Sequence, residues 1–264
     1  MTKLQRARAT VFTYFLLCGS AVTVWAAHIP AVEKQLSLTH AQIGIIILIL
    51  GAGALASMQI VGNLIDRLGS AKVLKWISVG LGASLMLPGM ANTFLTLAIA
   101  IFILGVMIGG IDIAMNAHAL EVERAYDRPI FSAFHAMWSI GGVVGSAVAS
   151  TALVLGSSMA LSMATWGALT IAVGLLISKN LLVSASVQEV SENGAKSNRA
   201  REFSYVVFIG LVSASAAIIE GVGIDWSALF TIENFNVSVA IGGVSITFFA
   251  AAMAAVRFFA DRIV

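Results

Sequence analysis

Eight apolar runs of about twenty residues punctuate the chain, each long enough to cross roughly 30 Å of hydrocarbon as a helix. They fall at about 10–31, 42–63, 73–92, 94–118, 131–155, 158–178, 203–225 and 237–259, each bounded by charge, Pro, Gly or Asn. A backbone in hydrocarbon must satisfy its own N–H and C=O groups, so these runs predict helices and an all-α, polytopic membrane bundle. Composition excludes the soluble alternative. Of 264 residues 59 % are hydrophobic and 11 % charged, against about 25 % in soluble domains, which leaves too little polar surface for a water-soluble enzyme of this length. The single cysteine, Cys18, excludes a disulfide framework and a thiolate metal cluster, and no metal or cofactor is expected. The first run is not read as a cleaved signal peptide, because its apolar part is long and a second span follows closely.

Charge predicts the orientation. With the N-terminus cytoplasmic, 14 of the 15 Lys and Arg residues fall on the cytoplasmic side: Lys3, Arg6 and Arg8, then Arg67, Lys72 and Lys75, then Arg124 and Arg128, then Lys179, Lys196, Arg199 and Arg201, and finally Arg257 and Arg262. Only Lys34 lies outside, beside Glu33. A missed span would divide the basic residues more evenly, so the bias supports the even count too. The long hydrophilic interval 181–202 reads as a cytoplasmic linker between a six-helix half at 1–180 and two further helices at 203–264. A plain long loop without domain meaning is the other reading of that interval. No basic patch with interleaved aromatics points to nucleic acid.

Ionisable groups inside apolar runs are costly and nominate a solute path. Asp112 stands on one face of the fourth run with Gly105, Gly109 and Asn116, at spacings of three and four. It reads either as a proton-linked or hydroxyl-binding carboxylate or as a structural one bonded to a neighbouring helix. Glu220 and Asp225 flank GVGI in the seventh run, about 140° apart on a helix, and share one spot only if the backbone breaks at Gly221 and Gly223. Glu220 is the cavity candidate, whereas Asp225 with Trp226 is expected at the outer interface, where Trp is enriched. His135 is a candidate proton relay or solute contact, or else a histidine satisfied between helices. Trp138, three residues on, is a candidate stacking surface for a sugar ring, with a core or lipid-facing Trp as the bland reading. His118 adds a polar group near the cytoplasmic end of the fourth run, and His28 is expected near the outer mouth. Small residues at 51–57 and 141–150 predict close helix approaches.

An Asp-Arg pair recurs after 195 residues, as Asp66-Arg67 in GNLIDRLG and Asp261-Arg262 in RFFADRIV, each following the second helix of its segment. With Gly62, Asp66, Arg67 and Gly69 on its motif positions, the first segment resembles the Gly-x-x-x-Asp-Arg-x-Gly loop of the major facilitator superfamily. The stretches at 115–146 and 220–229 are similar to bacterial inner-membrane members related to fucose permease. The resemblance implies a secondary transporter of a small polar organic solute, sugar-like or related, working by alternating access in the bacterial inner membrane, with proton coupling through Asp112 or Glu220 as an option. It implies that Gly62, Asp66, Arg67, Gly69, Asp261 and Arg262 belong to a gating loop. There a carboxylate is held by helix-terminal amides and basic partners; Arg67, Lys72 and Lys75 acting only on topology and anionic lipid is the other reading. The superfamily has twelve helices, so eight imply a C-terminally truncated chain, or one that needs another subunit. A non-transporting protein on the same helices is the alternative function. An enzyme is not expected: no HExxH or GxSxG is present, and Asp112 has no sequence-adjacent catalytic companion.

Overall fold

The computed structural model describes residues 1–126, 129–182 and 199–260, with the side chains of 199–202 and 259–260 excepted. Among them it contains nine α-helices and no strand: α1 (Lys3–Leu36), α2 (His40–Leu68), α3 (Ser70–Met86), α4 (Phe94–Tyr126), α5 (Phe131–Val154), α6 (Met159–Ile177), α7 (Arg199–Asp225), α8 (Ser227–Phe235) and α9 (Val239–Ala260). All but α8 are long and apolar enough to cross a membrane. Several overrun their apolar runs, α1 at both ends, because a run marks the hydrocarbon layer whereas helical hydrogen bonding continues beyond it. The α1 and α2 starts are fixed by reciprocal capping boxes, Thr2 with Gln5 and Thr39 with Gln42, which satisfy amides that have no partner within the helix.

The seventh run differs from its expectation. Helix α7 is unbroken through Gly221 and Gly223, and the interruption falls at Trp226, whose amide still bonds Val222 and whose carbonyl accepts from Phe230. Helix α8 then carries the chain onward until Glu233 meets His40 at the first turn of α2. Residues Phe203–Asp225 of α7 are by themselves long and apolar enough to cross, and α8 continues from them after Trp226. Asp225 and Trp226 lie at the joint between α7 and α8, at the end of the apolar stretch Phe203–Asp225.

Packing follows an internal exchange. Helix α1 lies along α5, α2 along α4 and α3 along α6. Swapping α1 with α4, α2 with α5 and α3 with α6 maps this pattern onto itself, as an internal repeat of three helices requires. A second repeat shows at the turns. Ser37 and Asn236, the two non-glycine residues with positive φ among those described, share φ 51° and close α1 and α8 three residues before α2 and α9 begin. They are 199 positions apart, four more than the two Asp-Arg pairs, so about one helical turn separates the two registers. Asp261 and Arg262 lie outside the described residues.

Close approach is achieved with glycine. A Cβ on Gly105 or Gly109 of α4 would strike the backbone of Leu50 or Ala54 in α2, and one on Gly141 or Gly145 of α5 would strike Leu16 or Ser20 in α1. Polar ties reinforce these contacts: Tyr14 Oη donates to the Gly174 carbonyl at 2.7 Å and Trp166 Nε1 to Ser20 Oγ at 2.9 Å. Helix α1 is the core, with 83 % of its most apolar stretch buried, whereas the figure for α7 is 6 %. Gly105→Ala is expected to lower stability by about 1–2 kcal/mol, since overpacking outweighs the helix-propensity gain. Gly51→Ala, where a Cβ meets nothing within 4 Å, is expected to raise it by about 0.5–1 kcal/mol. Thermal unfolding of the two variants in detergent checks the contrast.

Candidate functional site

A cavity of about 370 Å³ opens where α1, α4 and α5 face α7 and α9. Helix α4 supplies Asp112, α5 supplies His135 and Trp138, α7 supplies Glu220 and Asp225, and α9 supplies Arg257. Cys18, Trp25 and Ile108 form part of its apolar wall. Helix α7 lines it over a broad arc, from Glu220 through Ile224 at about 40° and Gly221 at about 100° to Asp225 at about 140°. Both acids therefore reach one cavity without an unwound backbone, a correction to the expected separation that follows from how little else packs on α7.

Arg257 organises the site. Its Nη2 donates to Glu220 Oε2 at 2.7 Å and its Nη1 to Ser139 Oγ at 2.8 Å, while the guanidinium lies 5.6 Å from the centre of the Trp138 ring. It was counted with the cytoplasmic basic residues, but it belongs to the cavity, drawn inward by a carboxylate that would otherwise be desolvated and unpaired. Position 257 lies inside the eighth apolar run, and that signal was sufficient to find it.

The other predicted residues fall as follows. Asp112 keeps the expected face, and Asn116 Nδ2 donates to its carbonyl at 2.8 Å and to its Oδ1 at 3.1 Å. Asn116 is not among the cavity-lining residues, because its amide is turned onto Asp112. The His135 ring packs against Phe15 and Phe131, with centroids 5.2 and 5.3 Å away. Asp225 lines the cavity with no hydrogen bond or ion pair among the described residues. His28 is not at a mouth: it is fully buried, with Nδ1 2.7 Å from the Val24 carbonyl.

At the far end of α4 from its start, His118 is fully buried. Its Nε2 accepts from the Leu182 amide at 3.3 Å, so a neutral ring carries its proton on Nδ1, which lies 2.7 Å from Ser70 Oγ. One imidazole thereby joins α4, the first residue of α3 and the chain just beyond α6. Ser70 directly follows Gly69, which turns the chain between α2 and α3 at φ +81°. Asp66 and Arg67 are exposed at the end of α2 and make no hydrogen bond or ion pair among the described residues, and a Cβ on Gly62 would meet nothing within 4 Å. Of the six gating-loop candidates the structure describes Gly62, Asp66, Arg67 and Gly69, at the end of α2 and the turn into α3; Asp261 and Arg262 lie outside the described residues.

At the α1–α2 turn a second recess, of about 480 Å³, runs between α1 and α8. His40 Nε2 bridges Glu33 at 3.1 Å and Glu233 at 2.7 Å beside it. Among the described residues no three His, Cys, Asp or Glu side chains converge as a metal site.

Residues 10–264 match the Major Facilitator Superfamily. Related proteins include the uncharacterised transporter y4wD of Sinorhizobium fredii, 35 % identical over 95 % of this chain and 66 % of its own length, and an uncharacterised MFS-type transporter of Yersinia pestis, 32 % identical over 95 % and 64 %. The membrane protein MosC of Rhizobium meliloti is 26 % identical over 97 % and 61 %. Among solved structures, the fold is similar to a bacterial homologue of the human lysosomal transporter Spinster, captured inward-facing and unoccupied, with TM-score 0.72 and 17 % identity over 98 % of this chain and 61 % of that one. It is also similar to the nucleoside transporter NupG, with TM-score 0.67 and 16 % identity over 99 % and 68 %. The chain belongs to the Major Facilitator Superfamily and is a multi-pass protein of a bacterial inner membrane. It spans just under two thirds of the length of the curated relatives it matches.

Arg257→Gln is expected to lower stability by about 2 kcal/mol, less than for fully buried pairs because both partners keep about a quarter of their exposure. Adding Glu220→Gln should restore part of that loss, and a double-mutant cycle on unfolding midpoints measures the coupling.

Proposed function

We propose that this chain forms the solute-binding part of a secondary transporter that moves a small polar organic solute by alternating access, with Asp112 carrying a coupled proton. The observation that carries the reading is the polar cavity between α1, α4 and α5 on one side and α7 and α9 on the other. Charged groups are kept inside an apolar bundle at a cost of about 2.5–3.5 kcal/mol each on insertion scales, and a solute and ion pathway accounts for them. Family membership supports transport over enzymatic chemistry. The break between α7 and α8 supports it too, since interrupted helices beside a cavity expose groups to a solute.

Further parts of the proposal rest on sequence. Residues 1–180 act as one half, 181–202 as a cytoplasmic linker and 203–264 as part of the second half, with the N-terminus cytoplasmic. The solute is sugar-like or related, in keeping with the resemblance to fucose-permease-type carriers. Asp66, Arg67 and the glycines beside them serve as a gate, and His118 holds that loop against the start of the linker through Ser70 and Leu182.

Uptake into membrane vesicles across a panel of radiolabelled sugars, with and without a pH gradient, tests the reading. Saturable flux that rises with the gradient, and loses that dependence in Asp112→Asn, is the expected result. No flux for any solute, or unchanged proton dependence in the variant, contradicts transport or the role of Asp112 respectively.

A further inference from the structure

We propose that the solute bears one positive charge, a protonated amine whose N–H groups donate to the Asp225 carboxylate. This rests on the cavity being a solute site. Among the described residues, three carboxylates, Asp112, Glu220 and Asp225, face the cavity against one guanidinium, Arg257, with His135 and Cys18 as the remaining titratable groups. Arg257 is already paired: Glu220 accepts from one nitrogen, Ser139 from another, and Trp138 lies beside the guanidinium. The His135 ring is flanked by Phe15 and Phe131.

Once Glu220 and Arg257 neutralise one another, two carboxylates remain uncompensated in a site of low dielectric, where an unpaired charge is costly. They are not equivalent. Asp112 accepts a hydrogen bond from Asn116 of its own helix on one oxygen and keeps the other for a proton or a solute. Asp225 lines the cavity with no partner among the described residues, so it offers an unshared acceptor to what enters. With a neutral solute the carboxylate is left to be neutralised by a proton, an anion adds to its charge, and an ammonium pairs with it directly. An ammonium on the solute and a proton on Asp112 balance both carboxylates. The rest of the wall sets the body of the solute: Trp25, Ile108 and Val22 are apolar, and about 370 Å³ lies near the lower end for small-molecule pockets, which suits a single hydroxylated ring carrying the amine.

The test uses the full chain in lipid nanodiscs and three probes built on one ring, glucosamine, glucose and glucuronate, below the pKa of the amine. Binding is followed by tryptophan fluorescence and proton exchange by a dye in weak buffer. Glucosamine is expected to bind at least about tenfold more tightly than glucose, the difference that one charge-assisted hydrogen bond makes, and glucuronate most weakly. Asp225→Asn should reduce glucosamine to the affinity of glucose, while Asp225→Glu keeps the preference. Asp112→Asn should keep the preference and abolish the proton signal. Unfolding midpoints within the wild-type range certify that the variants fold. The proposal is overturned if glucose binds as tightly as glucosamine, if the preference survives Asp225→Asn, or if no probe binds. Equal binding of glucose leaves the transport reading standing, whereas glucosamine binding without flux in vesicles overturns transport and leaves the charge assignment intact.

Discussion

The ion pair between Glu220 and Arg257, extended through Ser139 and Trp138, is the contact on which the interior depends. It binds α5, α7 and α9 at one point inside an otherwise apolar bundle. An isolated guanidinium or carboxylate there would be expelled toward water or neutralised, so each holds the other in place. The pair also sets the character of what remains. Once Glu220 engages Arg257, the cavity's cation among the described residues, Asp112 and Asp225 are the carboxylates left to respond to a proton or a solute.

Around this point the bundle is tight where glycine permits and open where it does not. Gly105 and Gly109 let α4 lie on the α2 backbone, and Gly141 and Gly145 do the same for α5 on α1. Paired helices of this kind behave as units, because lipid supplies little hydrophobic drive and the packing is made by backbone contact. Space is left where the pairs meet α7, which packs sparsely and turns a wide arc of its surface to the cavity. The joint at Trp226 adds to this. Helix α8 continues from there and is tied by Glu233 to His40 and through it to Glu33, so the ends of α1, α2 and α8 are connected by one imidazole.

Much of this was legible in the sequence because the physics that fixes it is local. Eight apolar runs became eight spans, and the spacing of four between Asp112 and Asn116 let the amide of one reach the carboxylate of the other. What was misread depended on the third dimension. Arg257 looked like a boundary residue until a partner 37 positions earlier reached it. Glu220 and Asp225 seemed to demand an unwound helix, since sequence gives angular separation but not the width of the space a helix faces. His28 carried no sign of burial beyond its apolar neighbours, and the bonds of His118 to Ser70 and Leu182 join residues 48 and 64 positions away. A break was possible at Gly221 and Gly223, yet the helix runs through both and ends at Asp225, because glycine allows a helix to stop and does not compel it to.

The central claim is that a water-accessible polar cavity lies within the membrane bundle, bordered by one face of α7. A Cβ fits at both Gly221, which borders the cavity, and Gly210, on the exposed run of the same helix, with nothing within 4 Å. In a Cys18→Ser background, the alkylation rates of Gly221→Cys and Gly210→Cys by a water-soluble maleimide in intact membranes measure the claim directly. The account predicts rapid modification at 221, slowed by a bound solute, and negligible modification at 210. Equal rates at the two positions, or an unreactive 221, would contradict it.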